Sequence, residues 1–268
     1  MSRKEKTVTQ ALINAEAKSL TDWEAPNGGW ASDGNEDIPP AFPIVSIVQP
    51  MSQIPKAMAG WFFHSDTEEQ TADFDGVLLV RRETRALFVE GDDKPICRSD
   101  DGRNPAPNQR LWNPEFEGFV AQGRKWVAPP VKGSCDNCPF SLWTGDTPPI
   151  CSNSYVIIAA RNGDPEDLVQ LRLKGTSIKP FRQWVSRKLA PKRLPMFFFQ
   201  VHLTTEEKTA PSKKWHQLII ESSPLDESDA RTYSDVINAH RARIEHAVKE
   251  AGGEVEEWQD DAEEMPFE

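Results

Sequence analysis

Between residues 91 and 150 the chain loses its apolar period, and Pro, Gly, Asn and Asp take over. A stretch of that length without a core of its own needs a local reason to be ordered. The cysteines supply one: Cys97, Cys135, Cys138 and Cys151 lie in or beside it, spaced C-x37-C-x2-C-x12-C. A C-x-x-C turn aims two sulfurs at one point, which suits tetrahedral Zn²⁺ with Zn–S bonds of about 2.3 Å, and two further thiolates complete the shell. Four Cys ligands leave no open coordination position, so the spacing predicts a structural zinc whose binding free energy orders the loops. His64 is the alternative fourth ligand in place of Cys97. Three plainer readings compete. A disulfide needs an oxidising compartment. A redox C-x-x-C normally opens a helix, whereas Pro139 follows this one in a loop. Unrelated buried thiols are the third.

Charge is the second constraint. The 268 residues carry a net charge of −11, which by itself argues against a nucleic-acid binder. The distribution reverses that argument. Residues 254–268 hold eight acids and no base, and removing those eight charges from −11 leaves −3. Residues 172–193 hold eight bases and no acid: Arg172, Lys174, Lys179, Arg182, Arg187, Lys188, Lys192 and Arg193. Phe181 and Trp184 interleave with them. Cations that track phosphates, with rings that stack on unpaired bases, are how proteins hold single strands. The competing reading is a solvated helix face whose two rings pack in the core. Arg81, Arg82 and Arg85 add to a groove if they face one side, and Trp112, Trp126 and Trp143 are further stacking candidates.

Regular structure brackets the loop region. Phe42–Gln49, Gly76–Arg82, Arg85–Val89, Tyr155–Ala160, Leu168–Leu173, Met196–Leu203 and Trp215–Glu221 read as strands, with a tight connection at Glu83-Thr84. A helix runs from Thr176 or Ser177 to about Leu189, and a second spans Asp226–Glu250, ended by Gly252-Gly253. The second helix either docks on its own barrel or pairs with another copy as a homodimer. The expected class is α+β, mainly antiparallel β: a small barrel with an inserted zinc loop module and a C-terminal helix, a two-sheet sandwich being the competitor. The expected organisation is a weakly ordered arm over 1–35, a nucleic-acid-binding domain over 36–253 with the insertion at 91–152, and an acidic tail over 254–268 that does not fold alone. No run is long enough to span a membrane. The charged start, Met1-Ser2-Arg3-Lys4-Glu5-Lys6, has no apolar stretch after it, so a cytoplasmic protein is expected.

The tail ends Asp260-Asp261-Ala262-Glu263-Glu264-Met265-Pro266-Phe267. It resembles the acidic tip of bacterial and phage single-stranded-DNA-binding proteins, in which Asp or Glu precede a terminal Pro-Phe or Phe. Here Glu268 follows the Phe. The resemblance implies that Asp260, Asp261, Glu263, Glu264, Pro266 and Phe267 recruit replication or recombination proteins, and that the tail folds back on the basic groove when DNA is absent. A broader set is similar to tailed-phage proteins of a zinc-bearing OB type: Phe42-Pro43-Ile44, Gln49-Pro50-Met51-Ser52, Cys97-Arg98-Ser99-Asp100-Asp101-Gly102, Cys135-x-x-Cys138-Pro139 with Trp143 and Cys151, and Gly175-Thr176-Ser177. It implies an OB-like barrel and, for a phage protein, the host cytoplasm.

Enzyme patterns are missing. There is no G-x-x-x-x-G-K-[ST] and no H-E-x-x-H. Ser134 stands where a zinc deaminase has Pro, and Arg172 where an Asp…Glu-x-Lys nuclease needs an acid. The five histidines are scattered. The expectation is therefore a non-enzymatic protein that coats single-stranded DNA. A zinc-stabilised interaction factor that regulates host transcription, its tail mimicking DNA, is the alternative.

Overall fold

A computed structural model describes residues 42–250, except 51, 53, 55, 91, 93, 108, 114, 122, 130, 131, 143–148 and 212. The arm read over 1–35 and the tail over 254–268 lie outside the described residues. So do Trp143 and the six tail residues assigned to partner binding.

The chain builds a strongly curled mixed sheet, a half-barrel. Its strands are β1 (Ile44–Ile47), β2 (Phe62–His64), β3 (Gln70–Thr71), β4 (Phe74–Leu87), β5 (Cys97–Ser99), β8 (Ser152–Arg161), β9 (Leu168–Lys174), β10 (Phe199–Ala210) and β11 (Lys213–Pro224). They lie in the order β11-β10-β4-β8-β9-β1-β2-β3, with β5 beside β4. One pair departs from the antiparallel expectation: β1 runs parallel to β9. The inserted region adds a separate hairpin of β6 (Gly118–Ala121) and β7 (Arg124–Val127).

Alternation along the strands explains why both faces of this sheet are covered. On β8, Tyr155, Ile157 and Ala159 join one core with Leu171, Leu173, Val201 and Leu203. Val156, Ile158 and Ala160, pointing the other way, join a second with Val77 and Leu79. The first face is closed by α1 (Ile178–Trp184) and the wider turn after it (Val185–Leu189), which insert Phe181, Trp184 and Leu189. The second is closed by α2 (Glu227–Ala239) and α3 (Arg241–Glu250) through Ala230, Tyr233, Ile237, Ile244 and Ala247. The C-terminal helices thus dock on their own sheet.

Three expectations are corrected. Arg85–Val89 is not a separate strand: Glu83 and Thr84 continue β4, pairing with Tyr155 and Ser154, because buried Thr84 bonds Ser154 Oγ at 2.8 Å instead of turning. The Asp226–Glu250 helix breaks at His240, whose backbone leaves the helical region. Met196–Phe198 is a short 3₁₀ turn, so the Phe-rich strand begins at Phe199.

Candidate functional site

The cysteines converge. Cys97 sits on β5, paired with Leu87 at the end of β4, and Cys151 directly precedes β8 on the other side of that strand. Cys135 and Cys138 bracket a single 3₁₀ turn closed by Cys138 N–H to Cys135 C=O at 3.3 Å, and Ser141 N–H donates to Cys138 C=O at 3.0 Å. All four side chains line one cavity of about 10 Å³ with Leu87, Leu111, Trp112 and Phe140. That is roughly the room of one small sphere. A third core of Leu87, Ile96, Leu111, Phe119, Ala121 and Phe140 surrounds it.

The electrostatics follow from burial. Burial pushes the Cys97 thiol up to about 12, against the Trp112 side chain, which favours the thiolate. Burial also raises Cys135 and Cys151, and the neighbouring sulfurs raise Cys151 further. Trp112 Nε1 is buried without a hydrogen-bond partner among the described residues, and its indole lies beside the Cys97 sulfur. A cation between these sulfurs would offset their mutual repulsion and give the indole an anionic acceptor. In donor type, shared cavity and orphaned N–H, the four cysteines fit a soft divalent metal. Among the described residues, no group of three or more His, Cys, Asp or Glu side chains is placed to hold a metal ion. His64 lies on β2 with Nδ1 against Thr67 Oγ1 at 3.1 Å, outside the cavity lining.

From Lys174 onward the bases of this segment are exposed. Lys174, Lys179, Arg182, Arg187, Lys188, Lys192 and Arg193 all face solvent. Lys179, Arg182, Gln183 and Ser186 line an open groove with Gly175 and Ile178. Among the described residues, Lys179, Arg187, Lys188, Lys192 and Arg193 make no ion pair. Arg182 is anchored: Nε donates to Tyr155 Oη at 2.8 Å and a terminal nitrogen to Glu83 Oε1 at 2.9 Å.

Three members of the predicted contact set are corrected. Trp184 is only 6% exposed, and its Nε1–H donates to Ser222 Oγ at 3.0 Å, so it is a core residue. Phe181 is wholly buried beside it. Arg172 is also 6% exposed, on the β9 face opposite Leu171 and Leu173, beside the Gln170 carboxamide. The three β4 arginines divide by strand alternation. Arg81 and Arg85 share a face with Glu83, and Arg82 takes the opposite one. The Arg81 guanidinium lies 5.9 Å from the ring centres of both Tyr155 and Phe181. Of the loop tryptophans, Trp126 is half-buried with Nε1–H on Ala121 C=O, and Trp112 faces the cysteine cavity.

Sequence reasoning missed Glu83. Its Oε1 accepts from Arg182 and from Asn153 Nδ2 at 2.8 Å, its Oε2 accepts from Tyr155 Oη at 3.0 Å, and Arg85 stands 3.8 Å away. The signal was Arg81-x-Glu83-x-Arg85, which on a strand places an acid between two bases on one face. No family model matches the chain, and neither a curated protein nor a solved structure matches it.

Proposed function

We propose that this chain is a single-stranded-DNA-binding protein that coats and protects exposed strands during replication or recombination. The observation that carries the reading is the run from Lys179 to Arg193: five exposed cations without ion pairs among the described residues, on one helical segment beside a curled sheet. Such a run neutralises successive phosphates and releases their counterions, which gives affinity without sequence preference. Lys174 and Arg182 extend it, and Arg81 adds a charge at the α1 end.

Burial of Phe181 and Trp184 changes the expected mode. Phosphate contacts dominate, and stacking falls to tryptophans elsewhere. Cys97, Cys135, Cys138 and Cys151 would hold zinc, which supplies cross-linking of the inserted loops rather than chemistry on a substrate. The resemblance of the tail tip to single-stranded-DNA-binding proteins supports a phage setting and partner recruitment through residues 254–268.

The test is fluorescence anisotropy of labelled dT oligonucleotide and of duplex DNA, with the full chain and with residues 254–268 deleted. Preference for the single strand, and tighter binding after deletion, are expected. Equal or absent binding to both DNAs contradicts the reading and favours the interaction-factor alternative. Unchanged affinity after deletion removes the competition role of the tail alone.

A further inference from the structure

Arg85 faces two neighbours at once. One of its terminal nitrogens stands 3.7 Å from Asp136, which lies inside the C-x-x-C turn. Its register partner on β5 is Ser99, whose hydroxyl donates to Asp101 Oδ1 at 3.0 Å and lies beside Cys135. Arg85 also lies within electrostatic reach of Cys135 and Cys151. The same terminal nitrogen stands 3.8 Å from Glu83, which holds Arg182 of α1. Its side chain is 14% exposed, and its Nε is buried with no acceptor. A Cβ on Gly102 would meet Glu83 Cγ at 2.7 Å, so the insertion packs directly on the acid.

Four thiolates around a divalent cation leave the centre net anionic, and such centres depend on N–H groups around the sulfurs. We propose that Arg85 is a positioning residue shared by the two sites: it balances the metal-loaded cysteine centre and, through Glu83, fixes Arg182, so that metal occupancy sets polynucleotide affinity. This rests on the zinc and single-strand readings above. Without metal the C-x-x-C turn no longer fixes Asp136 beside Arg85. Arg85 would then draw Glu83 away from Arg182, which would lose its carboxylate partner at the groove.

The experiment uses the full chain as wild type, Arg85→Gln, Arg85→Lys and Glu83→Gln. Zn²⁺ affinity is read by competition with a chromophoric chelator, and dT oligonucleotide affinity by anisotropy at fixed salt. Arg85→Gln should weaken Zn²⁺ binding about 10- to 100-fold and oligonucleotide binding about tenfold. Arg85→Lys, which keeps the charge and loses the fork, should recover oligonucleotide affinity in part. Glu83→Gln should alter oligonucleotide affinity and leave Zn²⁺ affinity unchanged. With Co²⁺ in place of zinc, the thiolate-to-cobalt charge-transfer band should move in Arg85→Gln.

Wild-type Zn²⁺ affinity and an unmoved cobalt band in Arg85→Gln overturn the inference. If that variant does not fold, Arg85→Lys carries the same band test. Chelation of the wild type is independent of any variant: folded, metal-free protein with undiminished oligonucleotide affinity overturns the coupling. Wild type that binds no Zn²⁺ overturns the metal reading beneath it. Wild type that binds Zn²⁺ but no oligonucleotide overturns the polynucleotide reading instead.

Discussion

The Gln49 carboxamide bonds both main-chain groups of His216: Nε2 donates to His216 C=O at 3.1 Å, and His216 N–H donates to Oε1 at 3.0 Å. One side chain thereby supplies the pair of bonds that a neighbouring strand would make, across the opening between the end of β1 and the edge strand β11. Thr205 Oγ1 donates to Gly60 C=O at 2.7 Å beside it. The curl of the sheet is held where β10 and the edge strand β11 approach the ends of β1 and β2.

Gln49→Ala should therefore lower stability by about 1 kcal/mol, the loss of a half-buried hydrogen-bonded pair. Thr176 Oγ1 still serves the His216 carbonyl, so the N–H is the group left unmet. Gly60→Ala should cost about 1 kcal/mol or more, because φ is +87° there and a Cβ would meet the His216 ring at 2.4 Å. Urea melts of both variants measure this, and an unchanged midpoint for both contradicts the closure.

Trp184→Phe separates core from ligand contact. It loses the bond to Ser222 and opens space around Phe181 and Phe199, so its thermal midpoint should fall. The folded variant should bind dT oligonucleotide as the wild type does. Weakened binding with unchanged stability would restore Trp184 as a stacking residue.

His202 and Asp75 give a pH signature. Nδ1 and Oδ1 stand 2.9 Å apart, and the bond to this carboxylate raises the His202 pKa above its ordinary 6.5. A raised folded-state pKa means that stabilisation is complete below the unfolded value and is lost as pH rises through the folded one. The imidazole is 41% exposed, so the effect on stability is small and NMR is the suitable measurement. The titration midpoint should lie above 6.5 and return towards it in Asp75→Asn.

Cys138→Ser removes one ligand from the cysteine cavity. Metal analysis of the purified wild type should find about one zinc per chain, and the variant should lose it together with thermal stability of the insertion. Equal metal content in both contradicts the assignment.

Much of the architecture was legible because β8 and β9 carry dense apolar runs between turn residues, and spacing alone grouped the cysteines. The misreadings have physical causes. Glu83-Thr84 looks like a turn because both are polar, yet Thr84 finds a hydroxyl partner in Ser154 and Glu83 finds two donors besides Arg182. Gly118–Val127 forms its hairpin in a stretch where Pro and Gly mask the alternation, around Phe119 packed edge-on to Phe140. Helical spacing could not tell a solvent-facing Trp184 from a buried one, since a basic helix that packs on a sheet needs apolar residues at the same interval. The parallel β1–β9 pairing is a long-range property, with no local signature in either strand.

The most direct test of the cationic segment is the salt dependence of dT oligonucleotide binding by the wild type and by a variant carrying Arg187→Glu, Lys188→Glu, Lys192→Glu and Arg193→Glu. For the wild type, log K should fall linearly with log salt, with a slope of about −0.7 for each phosphate held. The fourfold variant should lose most of both the affinity and the slope while keeping the wild-type melting profile. Equal affinity and equal slope in the two proteins would contradict the account.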